Sequence, residues 1–277
     1  MSATLLIVFR EMLEAGLIVG IVLAATQGVP RRGLWIAYGI AGGVAGACVV
    51  AVFAGAIAGL FEGSGQELFN AAVLTLAVGM LTWHNVWMAS HGREIAAEMK
   101  AVGSDVATGK RTLAALAIVV GVAVLREGAE VVLFLYGIAA SADSSLASMM
   151  LGGAIGIAGG AVVSALLYFG LLAIPTHRLF AATSTLITLL AAGLAAQAIQ
   201  YVQQAGFLRF FTKRLWNSNW LLDERGPLGQ VLHTLIGYTS RPSGAQLIVY
   251  LTTIVVIVAL MRLTKQPKPQ VASAAAD

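Results

Sequence analysis

Two clusters of charge interrupt an otherwise apolar sequence: Arg10-Glu11-x-x-Glu14 and Arg126-Glu127-x-x-Glu130. At about 100° per residue, Glu11 and Glu14 lie about 60° apart around a helix and Arg10 and Glu14 about 40° apart. All three side chains of a cluster therefore share one stripe. An ionised side chain is costly at the centre of a bilayer and faces a partner or a water-filled path. Structural salt bridges alone would balance their charges, yet four carboxylates against two guanidinium groups leave a formal charge of −2. That surplus invites a cation. Carboxylate oxygens are hard ligands suited to Mg, Mn or ferric iron, whereas the thiolates that select copper(I) are absent. The single cysteine, Cys48, sits in an apolar stretch and allows neither a disulfide framework nor a cysteine metal site. Glu11, Glu14, Glu127 and Glu130 are thus the candidate metal ligands. Arg10 and Arg126, with donors only, are candidate counter-ions.

The elements that must position these residues follow from composition. Of 277 residues 58% are hydrophobic and 11% charged, where a soluble domain is about a quarter charged. The mean hydropathy is +0.86. A soluble globular enzyme is excluded, and at about 20 residues per span there is room for about seven helices. Apolar runs fall at about 3–26, 33–61, 67–91, 112–140, 147–174, 179–204 and 245–263. The breaks carry Gly28 to Arg32, Gly63-Ser64-Gly65, polar 92–111, Ser141 to Ser145 and Pro175 to Arg178. The expectation is an all-α membrane protein, one integral domain of seven transmembrane helices. The first run lacks a basic leader and a cleavage signal and is retained as a span. Ten Lys and Arg fall on the side opposite the N-terminus against five on its own side, all in one long connection. The N-terminus is expected outside and the C-terminus in the cytoplasm.

An internal repeat is visible. The two charge clusters stand 116 residues apart, Gly39-Ile40-Ala41-Gly42-Gly43 returns as Gly156 to Gly160 at 117, and Leu68-Phe69 returns as Leu179-Phe180 at 111. Repeat A then spans about 3–91 and repeat B about 112–204. Three spans per half make the second half run opposite to the first, an inverted pair of the kind that places a substrate site at the midplane. The seventh helix, 245–263, stands outside the repeat. Gly39, Gly43, Gly42, Gly46 and Gly152, Gly156, Gly160 form small-residue rows for close helix packing.

Two R-E-x-x-E motifs on the first and fourth of seven helices resemble those of the oxidase-dependent iron permeases, a family with fungal and bacterial members. The resemblance extends over the chain through the Trp83 to Arg93 stretch, the Ala191 to Ala196 run, and Gly237-Tyr238 followed by Pro242-Ser243. It implies iron uptake across the cell membrane, with Glu11, Glu14, Glu127 and Glu130 handling the metal and Arg10 and Arg126 as the motif arginines. It also implies extracytoplasmic partner proteins that oxidise or deliver iron. The sequence departs from the commonest R-E-G-L-E form, with Met12 where glycine is usual and Ala129 where leucine is.

Several lesser features have plainer readings. His84, buried in the third span, is a possible accessory ligand or proton relay, with a hydrogen-bonded structural role favoured. His91 and His177 sit near cytoplasmic helix ends. Gln197, Gln200, Gln203 and Gln204 favour interhelical hydrogen bonding over ligation. The connection 205–244 carries Leu228, Val231, Leu232, Leu235 and Ile236 at helical spacing and is expected to hold a short amphipathic helix at the outer surface, with Trp216 and Trp220 at the interface. Within it Asp223 and Glu224 are candidates for an acidic landing point for cations, as in fungal relatives, although a solvated turn beside Arg225 is the favoured reading. The tail at 265–277 is expected to be disordered. No phosphate-binding loop, Ser/His/Asp arrangement or haem motif appears, so the chain is expected to be no enzyme, to keep no permanently bound cofactor, and to have the iron ion and the lipid bilayer, not nucleic acid, as partners. The short length fits a bacterial inner-membrane protein. The rival readings are a carrier for another di- or trivalent cation, a cation/proton exchanger, or a non-transporting membrane scaffold.

Overall fold

The computed structural model describes residues 1–59, 66–140, 145–170, 176–224 and 226–264. Among these, eight helices form: α1 (Ser2–Ala25), α2 (Arg32–Gly59), α3 (Gln66–Ala107), α4 (Ala114–Ala140), α5 (Leu146–Tyr168), α6 (Thr176–Gln204), α7 (Pro227–Ile236) and α8 (Gly244–Leu263). Arg32–Ala56, Glu67–Gly92, Leu146–Tyr168, Phe180–Gln204 and Gly244–Leu263 are long and apolar enough to cross a membrane. The chain is thus an all-helical, multi-pass membrane protein. The remaining two long helices, α1 and α4, have 24 and 27 residues and differ in carrying three charged side chains each. These are the motif helices.

Glycine decides how closely they are held. α1 packs along α5, and α4 along α2. A Cβ added to Gly156 would stand 2.9 Å from Leu5 O and 3.0 Å from Phe9 N, and one on Gly43 would stand 2.7 Å from Gly121 O and 2.9 Å from Leu125 N. Only a residue without a side chain permits that approach. Gly42, by contrast, has nothing within 4 Å of such an atom.

Two apolar clusters bracket the motifs. Ile7, Leu81, Phe134 and Ile138 belong to one, and Val22, Val106, Leu116 and Val120 to the other. Residue numbers rise from the first cluster to the second along α1 and fall along α4, so the two helices run antiparallel.

The expected polar break at 92–111 is instead a helical extension of α3. Glu94 to Ala101 are mostly strong helix formers with no proline, and the helix stops where Gly109 adopts φ 75° and the Lys110 and Arg111 amides donate to Asp105 O. At 42 residues and about 63 Å, α3 is about twice as long as a hydrocarbon core is thick. Its far end folds over α1, with Gly103 against Ala25.

The expected amphipathic helix in 205–244 is α7, and it dips into the bundle. Its C-terminal Gly237, at φ 68°, packs on Gly193, eleven residues or about 16 Å from the end of α6. Its last carbonyls are satisfied: His233 O accepts from the Gly237 amide, Leu232 O from the Tyr238 amide, and Ile236 O from the Tyr250 hydroxyl at 2.7 Å. Irregular backbone is tolerated at that depth only when so paired. The glutamines hold this region together, Gln197 to His233 at 2.8 Å, Gln200 to Gln246 at 3.0 Å and Gln203 to Ser243 at 3.2 Å. The Gly63-Ser64-Gly65 turn, most of the Ser141 to Ser145 and Pro175 breaks, Arg225 and the tail after Thr264 lie outside the described residues.

Replacing Gly43 or Gly156 by leucine should push motif helices from their partners, costing about 1–3 kcal/mol or more of stability, whereas Gly42→Leu should be tolerated. Thermal unfolding of the detergent-purified variants checks this, and equal melting of all three would contradict the packing account.

Candidate metal centre

The centre forms where α1, α3 and α4 meet between the two apolar clusters. Arg10, Glu11 and Glu14 occupy one face of α1, nine residues or about 13 Å from its start at Glu11, while Glu127 lies thirteen residues from either end of α4. Between them α3 inserts His84. Asn85, the next residue, fixes that face of α3 by donating to Ser184 O at 3.2 Å and Thr188 Oγ1 at 3.0 Å on α6.

The four glutamates, Arg10 and His84 are all buried. Arg10 Nη1 reaches Glu11 Oε1 at 3.0 Å and Nη2 reaches Glu14 Oε1 at 2.9 Å. Arg126 Nε reaches Glu130 Oε1 at 3.1 Å and lies 3.9 Å from Glu127 Oε1. His84 faces both halves: Nε2 lies 3.7 Å from Glu11 Oε2 and from Glu14 Oε2, and Nδ1 contacts Glu130 Oε2. One donor atom from each of Glu11, His84, Glu127 and Glu130 lies within 4.8 Å of all the others. With zinc's donor distances of about 2.0–2.2 Å and tetrahedral arrangement as a guide, donor atoms around one ion stand about 3.4 Å apart. Side-chain movements of about 1 Å would therefore close the group on one ion. Glu11 Oε2, Glu14 Oε2 and Glu127 Oε2 are buried and accept no hydrogen bond. A buried acceptor without a donor is costly, and a cation relieves that cost.

The sequence-selected residues divide accordingly. Glu11, Glu127, Glu130 and His84 converge; Glu14 sits at the edge, tied to Arg10. His84, read from sequence mainly as a structural histidine, stands at the centre of the cluster. Asp223 and Glu224 are not brought to it. Glu224 Oε2 instead accepts from the Ser240 amide and hydroxyl at 3.0 and 2.7 Å, holding the connection between α6 and α8. His91 bonds within α3, to Ser90 and Trp87 O, and the side chain of His177 lies outside the described residues. Trp87, not singled out in the sequence as part of the site, lies with its ring centroid 4.1 Å from the Arg126 guanidinium carbon. Its position three residues after His84 on one helix was the available signal.

Comparisons with known proteins place the chain in a family. The model of the iron permease FTR1 family matches residues 1–264. The ferrous iron permease EfeU of Escherichia coli O6:H1 is 33% identical over 257 residues, covering 90% of this chain and 91% of the relative. The protein of the same name from Yersinia pestis is 30% identical over 280 residues, covering 100% and 98%. No solved structure matches the chain. A buried carboxylate cluster on two charged helices of an apolar bundle and a match along nearly the whole sequence lead to one assignment: the chain belongs to the iron permease FTR1 family.

Proposed function

We propose that this protein carries iron into the cell across a bacterial inner membrane through the cluster of Glu11, Glu127, Glu130 and His84, with Glu14 completing the acidic lining. The observation that carries the reading is the convergence of these donors from three helices, buried between two apolar seals with carboxylate oxygens that accept no hydrogen bond. A scaffold would gain nothing from those oxygens. Ferrous iron is the species proposed: the relatives bear that name, and an imidazole among the donors suits a borderline divalent ion better than the hard ferric one.

All seven long helices cross the membrane in this reading, α1 and α4 at the centre with their charges turned inward. An inverted three-plus-three repeat is supported by the contacts. Gly39 meets Ala117 O and Gly121 N as Gly152 meets Met1 O and Leu5 N, and Gly43 meets Gly121 and Leu125 as Gly156 meets Leu5 and Phe9. The separation of these glycine pairs is 113 residues. The sequence match at 117 is thus displaced by one helical turn. With the N-terminus outside, α7 enters from the outer face, where partner proteins would deliver iron. The arginines act as internal counter-ions to the carboxylates in the empty carrier.

Iron uptake by the purified protein in sealed vesicles tests the reading. Glu11→Ala and Glu127→Ala should each lower uptake at least about tenfold, the lower end of what loss of a metal-site partner costs, with the protein still folded in the membrane. Near-normal uptake by both would remove the shared site.

Lysine keeps the charge of arginine but loses the planar fork. Arg10→Lys should therefore transport poorly and Arg10→Gln worse still, as initial uptake rates would show. For the topology, single cysteines placed at Thr108 and Asn217 in a Cys48→Ala background should react with an impermeant thiol reagent from the inside and outside respectively. Labelling of both from one side would refute seven spans.

A further inference from the structure

The two motif arginines are held differently. Arg10 is 3% exposed, and its two terminal nitrogens engage Glu11 and Glu14. The side chain of Arg126 is 31% exposed and makes one close contact, through Nε to Glu130, while its buried Nη2 has no hydrogen-bond partner. What meets its guanidinium plane is Trp87, 4.1 Å from ring centroid to Cζ. Trp87 is itself fixed by stacking on Trp83 at 6.2 Å and on His91 at 5.1 Å along α3. It also lines a groove of about 470 Å³ shared with Leu260 of α8 and with Thr264, the residue that follows that helix.

These attachments differ in kind. A forked, charge-assisted pair must break two directional contacts before the arginine moves. A cation over a ring is attracted without consuming a donor, so it can slide off at the loss of one close ion pair. We infer that Trp87 is a positioning residue, the seat that holds Arg126 beside Glu127 and Glu130 in the empty carrier, and that Arg126, not Arg10, is the counter-ion that departs when the ion arrives. The second half of this statement rests on the proposed iron function; the first does not. In the proposed orientation Arg126 stands on the inner side of the carboxylates, where the ion must leave.

The test uses the full-length protein in detergent with Trp35, Trp83, Trp216 and Trp220 replaced by phenylalanine, so that Trp87 alone emits. Without metal, Arg126→Gln should shift the emission maximum and Arg10→Gln should not. An unmoved maximum in Arg126→Gln, or an equal shift in both, overturns the seat whether or not the protein binds iron. Ferrous iron alone is then added, and its retention is measured on the same sample. Retained iron should move the maximum in the direction of Arg126→Gln; retained iron with an unmoved maximum overturns the departure of Arg126. Iron that is not retained refutes the iron reading and the departure with it, leaving the seat to the metal-free result.

Iron affinity in the otherwise unmodified protein gives an independent check. Because the Trp87 contact holds Arg126 only in the empty carrier, its loss favours the bound state: Trp87→Leu should tighten ferrous-iron binding by up to about tenfold, the scale of a desolvated cation–π contact, and Trp87→Phe should return most of the way to the unmodified affinity. Trp87→Leu should change affinity little in Arg126→Gln but tighten it in Arg10→Gln by the same factor as in the unmodified protein. Weaker binding in Trp87→Leu, a phenylalanine variant that binds like leucine, or a full tenfold change in Arg126→Gln would overturn the assignment.

Discussion

Burying ionised groups in an apolar bundle is the constraint from which the remaining architecture follows. Four carboxylates, two guanidinium groups and an imidazole meet within a chain that is only 11% charged. Each charge loses its hydration there, and mutual attraction repays that loss only where geometry and hydrogen bonds are good. The two helices that carry these groups must therefore face each other at the centre. α2, α5 and α8, with no charged residue in their middle turns, form the flanks and turn most of their surface outward. The pairing is incomplete by composition, since two guanidiniums cannot neutralise four carboxylates. The same deficit that makes the empty site costly makes a cation welcome in it.

Such a site needs helices closer together than ordinary side chains allow. The short reach of a glutamate leaves little slack, so donors on α1, α3 and α4 converge only if the backbones behind them are fixed. The glycine rows of α2 and α5 do this from the outside, pressing against α4 and α1 at the turns that precede the motifs. The apolar clusters on either side of the site then keep water from spreading along the bundle and weakening the interactions between charge and ligand. Scaffold, seal and site are thus successive demands of one buried charge.

Much of this was legible in the sequence. Charge within apolar runs located the motif helices, and the small-residue spacing of Gly39, Gly43, Gly152 and Gly156 located their partners, because both patterns are local. The continuation of α3 to Ala107 was hidden by polarity: residues 92–107 are too hydrophilic for a membrane, and hydropathy does not distinguish a polar helix from a loop. Helix propensity over Glu94 to Ala101 was the better guide. The positions of His84 and Trp87 were hidden for another reason. A lone histidine or tryptophan in an apolar run carries no pattern, and its meaning depends on which helix α3 faces. That is fixed by tertiary contacts such as Asn85 to Thr188. The depth of α7 likewise depends on Gly237 meeting Gly193, two glycines 44 positions apart with no periodic relation.

In the proposed repeat, symmetry holds for the scaffold and fails at the centre. In the proposed repeat the helix pairs α1·α5 and α2·α4 are equivalent, yet α3 and α6 are not, since the 111-residue separation that matches Leu68-Phe69 to Leu179-Phe180 places Ala195 opposite His84. The imidazole therefore has no counterpart, and the two motifs respond to it differently. Glu130 contacts its Nδ1, whereas Glu14, the equivalent residue, is held by Arg10 and stays outside the group of four converging donors. Arg126 correspondingly lacks the second close partner that Arg10 has and rests on Trp87 instead. A perfectly two-fold site would offer an ion the same environment on both approaches. Here one side presents a rigid, doubly bonded arginine and the other a loosely seated one, and that difference originates in a single histidine on a helix that carries neither motif.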